Sequence, residues 1–251
     1  MEGDARRRRL VLVGVALAAI LVRLIDPSTT GSISVQQAMG DVAQGAYDPR
    51  GFRFRHVDAD SGEPVRYDAC SSIHYVINPD LAPPGGIEDV HTAIEETSKA
   101  TGIQFVYDGE TDEQPLAQRE AYQPDRYGER WAPILIAWAP ALVMPENPSV
   151  EAAGLAGSEF RTNDDGDSVY VTGSATFNAS TDLASGYAGQ TWGQVIVHEM
   201  GHVVGLDHVE DPMSVMHPRV TLRPAAWGDG DRRGLWELGL GRPCIETPEL
   251  P

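Results

Sequence analysis

The chain has 251 residues, of which 41% are hydrophobic, 22% charged and 7% aromatic. This length and apolar content suffice for one large globular domain or two small ones, and they exclude a chain that is disordered throughout. The formal net charge is −18, from 37 acidic and 19 basic side chains. Because proteins that bind nucleic acid neutralise phosphates with basic side chains, this balance argues against a nucleic-acid partner.

A basic segment followed by an apolar run opens the chain. Four arginines stand directly before the apolar residues 10–22, and only Arg23 follows closely. This asymmetry is typical of an export segment whose basic end stays in the cytoplasm. We therefore predict a cytoplasmic stub over residues 1–9 and a signal anchor over residues 10–25. A membrane span needs about twenty apolar residues, so a cleaved signal peptide stays open.

Both alternatives place the rest of the chain outside the cytoplasm. We predict a single-pass membrane protein held by its N-terminal segment, with a secreted protein as the alternative. Residues 26–65 are rich in Ser, Gly, Asp and Gln and lack periodicity, which predicts a linker. A single domain is then predicted over residues 66–251.

Two cysteines, Cys70 and Cys244, lie near the two ends of this predicted domain. In an oxidising compartment an even number of cysteines at such positions favours one disulfide bond. The alternative is a pair of free thiols.

Apolar periodicity predicts the elements of the domain in chain order. Alternation predicts strands over residues 71–78, 103–107, 133–138 and 168–179. A 3.6-residue period that ends at Gly102 predicts a helix over residues 87–101. The polar residues 108–132 predict a long surface insertion. This order predicts an α+β fold, with an α/β-like mixed sheet and few helices.

A helix that carries two histidines is the clearest local signal. Residues 191–194 match a capping box, which predicts a helix start, and Gly205 can end that helix. His198 and His202 lie four residues apart within it. Side chains at this spacing project from the same side of a helix, so both imidazoles can bind one metal ion.

The surrounding residues favour a catalytic zinc site with one zinc ion. After Gly205 the chain reverses, so His208 can supply a third nitrogen ligand. Three imidazoles with an open fourth position are typical of catalytic zinc. Zinc lowers the pKa of a bound water to about 7, and Glu199 could take up its proton as general base. The alternatives are ordinary surface histidines, or a structural zinc, which would have no need of Glu199.

This segment resembles the metzincin clan of zinc endopeptidases, and within it the matrixins. The residues that carry the resemblance are Gly205-Leu206-Asp207-His208, Asp211-Pro212 and Met216-His217-Pro218. The resemblance implies a metzincin (zincin) catalytic domain with an active-site helix, a Met-turn and a C-terminal helix. In such a domain Met216 would lie beneath the zinc ion.

The resemblance also implies where a substrate binds. An extended polypeptide would pair with the sheet edge, which we place at the strand over residues 168–179. The wall of the specificity pocket would come from Pro218, Arg219 and Val220. Asp231, at the start of the last helix, would brace the Met-turn or simply cap the helix. The acidic residues 163–167 could bind calcium or form a solvated turn, so calcium stays open.

The function predicted from the sequence is that of a zinc-dependent metalloendopeptidase. It would hydrolyse internal peptide bonds with a zinc-activated water and Glu199 as general base, acting as a monomer on polypeptide substrates. One alternative is a membrane-anchored, zinc-containing binding domain without turnover. The other is a zinc amidase that acts on cell-wall peptides.

Overall fold

The structure is a computed structural model and describes residues 51–59, 61–116, 118–140, 152–219 and 225–251. The strands are β1 (Arg53–Phe54), β2 (Ile73–Ile77), β3 (Phe105–Glu110), β4 (Ile134–Ala139), β5 (Gly154–Thr162), β6 (Ser168–Asn178) and β7 (Leu206–Asp207). The helices are α1 (Gly86–Thr101), α2 (Pro124–Tyr127), α3 (Trp192–Val204) and α4 (Asp229–Leu238).

Within these residues, five strands form a mixed sheet in the order β3-β2-β4-β6-β5. The neighbouring pairs are parallel except for β5, which runs antiparallel to β6. Every residue of β4 is buried, as expected for a central parallel strand covered on both faces. The predicted α+β class with a mixed sheet is confirmed.

One face of the sheet is covered by α1 and α3, which also pack against each other. The core between them contains Ile136 and Phe177 from the sheet, Val90 from α1, and Ile196 and Met200 from α3, all fully buried. Each helix is thus oriented with its apolar face toward the sheet. This packing holds α3 against the sheet.

The other face is covered by residues that the sequence predicted as a surface insertion. In this segment Arg119 and Glu113 form an ion pair with Nε···Oε1 at 2.7 Å, and their side chains are only 8% and 9% exposed. Arg119 also donates to Thr172 Oγ1 of β6 at 2.7 Å. The prediction was wrong here because tertiary partners satisfy these polar groups and allow their burial.

The edge of the sheet differs from the expectation. The strand predicted over residues 168–179 is β6, which lies inside the sheet between β4 and β5. The edge strand is β5, which the sequence did not indicate. Its tight connection to β6 is organised by Asn163, whose side-chain oxygen accepts the backbone N–H groups of Asp165 and Asp167.

Part of the predicted linker belongs to the fold. β1 pairs antiparallel with β7, and Phe52 beside it is only 3% exposed. Residues 53–54 are therefore structured, because burial of the neighbouring aromatic ring and pairing with β7 hold them in place. The other predicted domain boundaries stay predictions.

The predicted single-pass membrane location is contradicted. Among the residues that the structure describes, no helix is both long and apolar enough to cross a bilayer. Residues 1–9 and 10–25, on which the prediction rested, lie outside the described ranges. The secreted alternative does not depend on such a helix.

Cys70 and Cys244 form the predicted disulfide, with Cα atoms 5.5 Å apart and 174 positions between them in sequence. The bond joins the segment before β2 to the segment after α4. It therefore links the two ends of the sheet-and-helix core.

Candidate metal centre

Helix α3 positions the first two predicted ligands. It begins after Thr191, as predicted, although the threonine side chain makes no capping hydrogen bond. It ends at Gly205, which has φ 115° and whose N–H donates to Gly201 O and His202 O. This left-handed conformation suits glycine and turns the chain back into β7.

The structure brings the three predicted histidines together. The Nε2 atoms of His198 and His202 are 3.1 Å apart, those of His198 and His208 are 3.1 Å apart, and those of His202 and His208 are 3.0 Å apart. All three side chains are buried. Ligands held about 2.0–2.1 Å from a tetrahedral zinc would stand about 3.4 Å apart, within a few tenths of an ångström of these separations.

Backbone carbonyls set the tautomers of the two helical histidines. His198 Nδ1 donates to Val215 O at 2.7 Å, and His202 Nδ1 donates to Leu206 O at 2.8 Å. A carbonyl can only accept, so each Nδ1 carries the proton and each Nε2 of the neutral ring offers a lone pair. Burial lowers the pKa of His198 to about 4 and that of His202 well below its ordinary value.

Neutral imidazoles whose lone pairs converge cannot satisfy one another by hydrogen bonding, but they suit a divalent cation. The donor set therefore fits a zinc ion, since nitrogen ligands in a three-histidine arrangement are typical of catalytic zinc.

Glu199 lies beside this cluster. Its side chain is only 4% exposed, and burial raises its pKa to about 8, against the opposing effect of the Arg55 charge. A Cβ atom on Gly154 of β5 would come within 2.8 Å of Glu199 Cγ and Oε1. Gly154, which the sequence analysis did not select, thus leaves the space that the carboxylate occupies.

Met216 lies where a Met-turn would place it, against α3. It is 1% exposed, and its sulfur occupies the space that a Cβ atom on Gly201 would fill. The neighbouring Met213 is 56% exposed. A glycine inside an otherwise apolar helix was the available sequence signal for this close approach.

Asp231 supports this turn and also caps α4. Its carboxylate accepts the N–H of Val215 at 3.0 Å and the N–H of Gly228 at 2.9 Å, and it accepts the hydroxyl of Ser214. Both predicted roles are therefore present. Since Val215 O accepts from His198 Nδ1, one residue, Val215, connects Asp231 to the histidine cluster.

The predicted pocket wall is only partly described. Pro218 is half-buried and Arg219 is exposed in the turn that follows Met216, where Arg219 N–H donates to His217 Nδ1 at 3.2 Å. Val220 lies outside the described residues. The pocket assignment stays a prediction.

Two comparisons with known proteins bear on this site. The matrixin family model matches residues 129–238, which include β4, β5, β6, α3 and α4. A 59-residue stretch is 44% identical to stromelysin-3 of Rattus norvegicus; it covers 23% of this chain and 12% of that protein. The match thus spans about an eighth of the length of this relative.

Together, the mixed sheet, the three-histidine cluster beside Glu199 and the family match support a metalloprotease-like domain. More narrowly, residues 129–238 are similar to the matrixins, as the sequence motifs predicted.

Proposed function

We propose that this protein is a zinc-dependent endopeptidase. His198, His202 and His208 would hold one zinc ion, and Glu199 would be the general base. The observation that carries the proposal is the convergence of three Nε2 atoms within 3.1 Å of one another, with a buried carboxylate alongside.

When bound, zinc would lower the pKa of a water molecule at its open position and polarise the scissile carbonyl. Glu199 accepts the proton of the attacking water and later delivers a proton to the leaving amine. Met216 forms the apolar support beneath the histidines.

The free edge of β5 is the surface on which an extended polypeptide would lie. In the part of the chain that the structure describes, no strand pairs with β5 on the side away from β6, so its backbone groups there can pair with a substrate strand. The residues after Met216, namely Pro218, Arg219 and Val220, would form the wall of a side-chain pocket.

Glu199→Gln tests the catalytic assignment because it preserves the shape of the side chain but removes the base. The wild-type protein loaded with zinc is expected to cleave unfolded casein, and the variant is expected to lose at least a hundredfold in rate. Glu210→Gln, at an exposed position near the site, is the matched control and should retain wild-type activity. Equal activity of the Glu199 variant and the wild type would refute the role of Glu199.

Zinc binding is tested separately with His208→Ala. Removal of one of three ligands is expected to weaken zinc binding at least a hundredfold in competition with a chelator, since two imidazoles alone make a poor site. His217→Ala removes a nearby histidine outside the cluster and should leave zinc occupancy unchanged. Full zinc occupancy in the His208 variant would exclude it as a ligand.

The family match does not favour either alternative from the sequence, the binding domain without turnover or the cell-wall amidase. A direct comparison of fluorogenic peptides with purified peptidoglycan separates the two hydrolytic activities. Cleavage of peptidoglycan alone would contradict the proposed function.

A further inference from the structure

Arg55 is held beside the metal centre by the backbone and reaches across to the edge strand. Its N–H donates to Gly205 O, in the turn after α3, at 2.8 Å. Its guanidinium lies over Gly157 of β5, with Nη2, Cζ and Nε at 3.5, 3.6 and 3.8 Å from the position that a Cβ atom there would take. The absence of a side chain on Gly157 thus makes room for this guanidinium.

Within the described ranges the guanidinium of Arg55 has no carboxylate counter-ion. Arg53 pairs with Asp207, and Arg161 pairs with Glu159. Among the described residues, by contrast, no carboxylate lies within ion-pair distance of Arg55, although the chain carries 37 acidic side chains. A partly buried guanidinium has lost part of its hydration, so it is prepared to bind an external carboxylate.

Arg55 faces a cavity of about 520 Å³ that follows β5 over residues 155–160. Gln118 and residues 172–174 of the neighbouring strand also line it. The cavity therefore adjoins the strand edge that would bind a substrate.

The direction of β5 determines which part of a substrate meets Arg55. Glu199 lies against Gly154, and one turn further along α3 Val203 O accepts the hydroxyl of Ser158 at 2.7 Å. The reactive centre is thus level with the beginning of β5, and Gly157 lies beyond it, toward the end of the strand. A peptide that pairs antiparallel with β5 has its N-terminal residues on this side.

We propose that Arg55 is a specificity-determining residue that selects polypeptides with an acidic side chain N-terminal to the scissile bond. This inference rests on the proposed endopeptidase function. The carboxylate would receive charge-assisted hydrogen bonds from the guanidinium over Gly157. Since the site is partly open to solvent, one such contact is expected to favour Glu over Gln about tenfold.

Internally quenched peptides that differ at one position test this preference. Glu or Gln is placed at each of the three positions before the scissile bond, and at each of the three after it. With the zinc-loaded wild type, kcat/KM is expected to be about tenfold higher for Glu than for Gln at one of the N-terminal positions, and the ratio should be near one after the bond. Arg55→Gln should bring the N-terminal ratio to about one, and Arg55→Lys should retain part of it.

Arg161→Gln is the matched control, because it removes one positive charge from β5 outside the cavity. It should keep the wild-type ratio. A ratio near one for the wild type, or a ratio unchanged by Arg55→Gln, would overturn the inference while leaving the endopeptidase function intact.

Peptide binding to the Glu199→Gln protein, measured by fluorescence anisotropy, separates this inference from the chemistry. The Glu peptide should bind about tenfold more tightly than the Gln peptide, and the additional substitution Arg55→Gln should abolish the difference. Equal affinities would refute the role of Arg55. Failure to cleave any peptide, together with a retained binding difference, would refute only the proposed function.

Discussion

Replacement of Asp231 should weaken both the fold and the metal centre, because one carboxylate supports both. It accepts the N–H of Val215 behind the turn and the N–H of Gly228 at the start of α4. The carbonyl oxygen of the same residue, Val215, accepts the hydrogen bond from His198 Nδ1. Loss of the carboxylate therefore releases the backbone N–H of Val215, the residue whose carbonyl orients one of the proposed zinc ligands.

The magnitude follows from the groups left without partners in Asp231→Ala. A buried N–H without an acceptor, here that of Val215, costs about 1–3 kcal/mol. Loss of the cap on α4 costs about 1 kcal/mol more. The expected loss in the free energy of unfolding is thus about 2–4 kcal/mol, a large part of the roughly 5–15 kcal/mol typical of a folded domain.

Asp231→Asn is the informative second variant. Burial raises the pKa of Asp231 above its ordinary value, so desolvation of the charge offsets part of what its hydrogen bonds contribute. An asparagine can accept both N–H groups through its oxygen and donate to the hydroxyl of Ser214. We therefore expect it to cost about 1 kcal/mol or less.

Two measurements check these expectations. Urea unfolding in excess chelator gives the stability of the protein without metal, which removes the contribution of binding to the apparent stability. Competition with a chelator gives zinc affinity, for which loss of the orienting contact predicts a decrease of about 10–100-fold in Asp231→Ala. Asp229→Ala, in the same helical turn but exposed, is the control and should change stability by less than about 0.5 kcal/mol. If Asp231→Ala is no less stable than this control, the assigned support is wrong.

Three further predictions concern the rest of the molecule. Glu113→Gln breaks the buried ion pair and should cost about 3–5 kcal/mol in urea unfolding. Arg119 holds the pKa of Glu113 below 4.5, against the effect of burial. The difference in unfolding free energy between wild type and variant should therefore be largest above pH 4.5 and should shrink as the pH falls through the lowered pKa. Replacement of both Cys70 and Cys244 by alanine opens a loop that joins residues 174 positions apart, and it should lower the free energy of unfolding by about 5 kcal/mol. Equal urea-unfolding midpoints of the wild type with and without reductant would contradict this. Gly154→Ala should lower kcat at unchanged zinc stoichiometry, because the added methyl group would lie 2.8 Å from Glu199. An unchanged kcat would show that the position of this carboxylate does not depend on Gly154.

Helix α3 is the part of the fold that local sequence predicts best. Histidines four residues apart, an apolar helical period and a terminal glycine are all visible within fifteen residues, and α3 follows them closely. His208 could also be placed, since its approach depends only on the left-handed turn at Gly205. The convergence of three side chains is thus encoded within one short segment.

The sequence did not predict the edge strand β5, because two of its residues are determined by contacts with residues far away in the sequence. Gly154 and Gly157 weaken the strand signal, since glycine is disfavoured in strands. In the structure one leaves room for Glu199 and the other for Arg55, which is about a hundred positions away. No local pattern could indicate either contact.

The segment over the second face of the sheet was misjudged for a related reason. Its polar composition is typical of a solvated loop, yet Glu113 is buried with Arg119, Gln123 and Tyr127 as hydrogen-bond partners. Burial of such groups depends on a complete set of partners brought in from several turns and from β6. The amino-acid composition of the segment alone cannot show whether these hydrogen-bond partners are present.

The complete burial of α3 has a consequence for how the site opens. All thirteen of its residues are buried, between the sheet on one side and α1, α4 and the Met-turn on the others. Its amide protons can therefore reach solvent only when most of the surrounding packing is lost. Hydrogen exchange in this helix should proceed at the rate set by global unfolding, so the histidines stay in place through every smaller fluctuation of the chain.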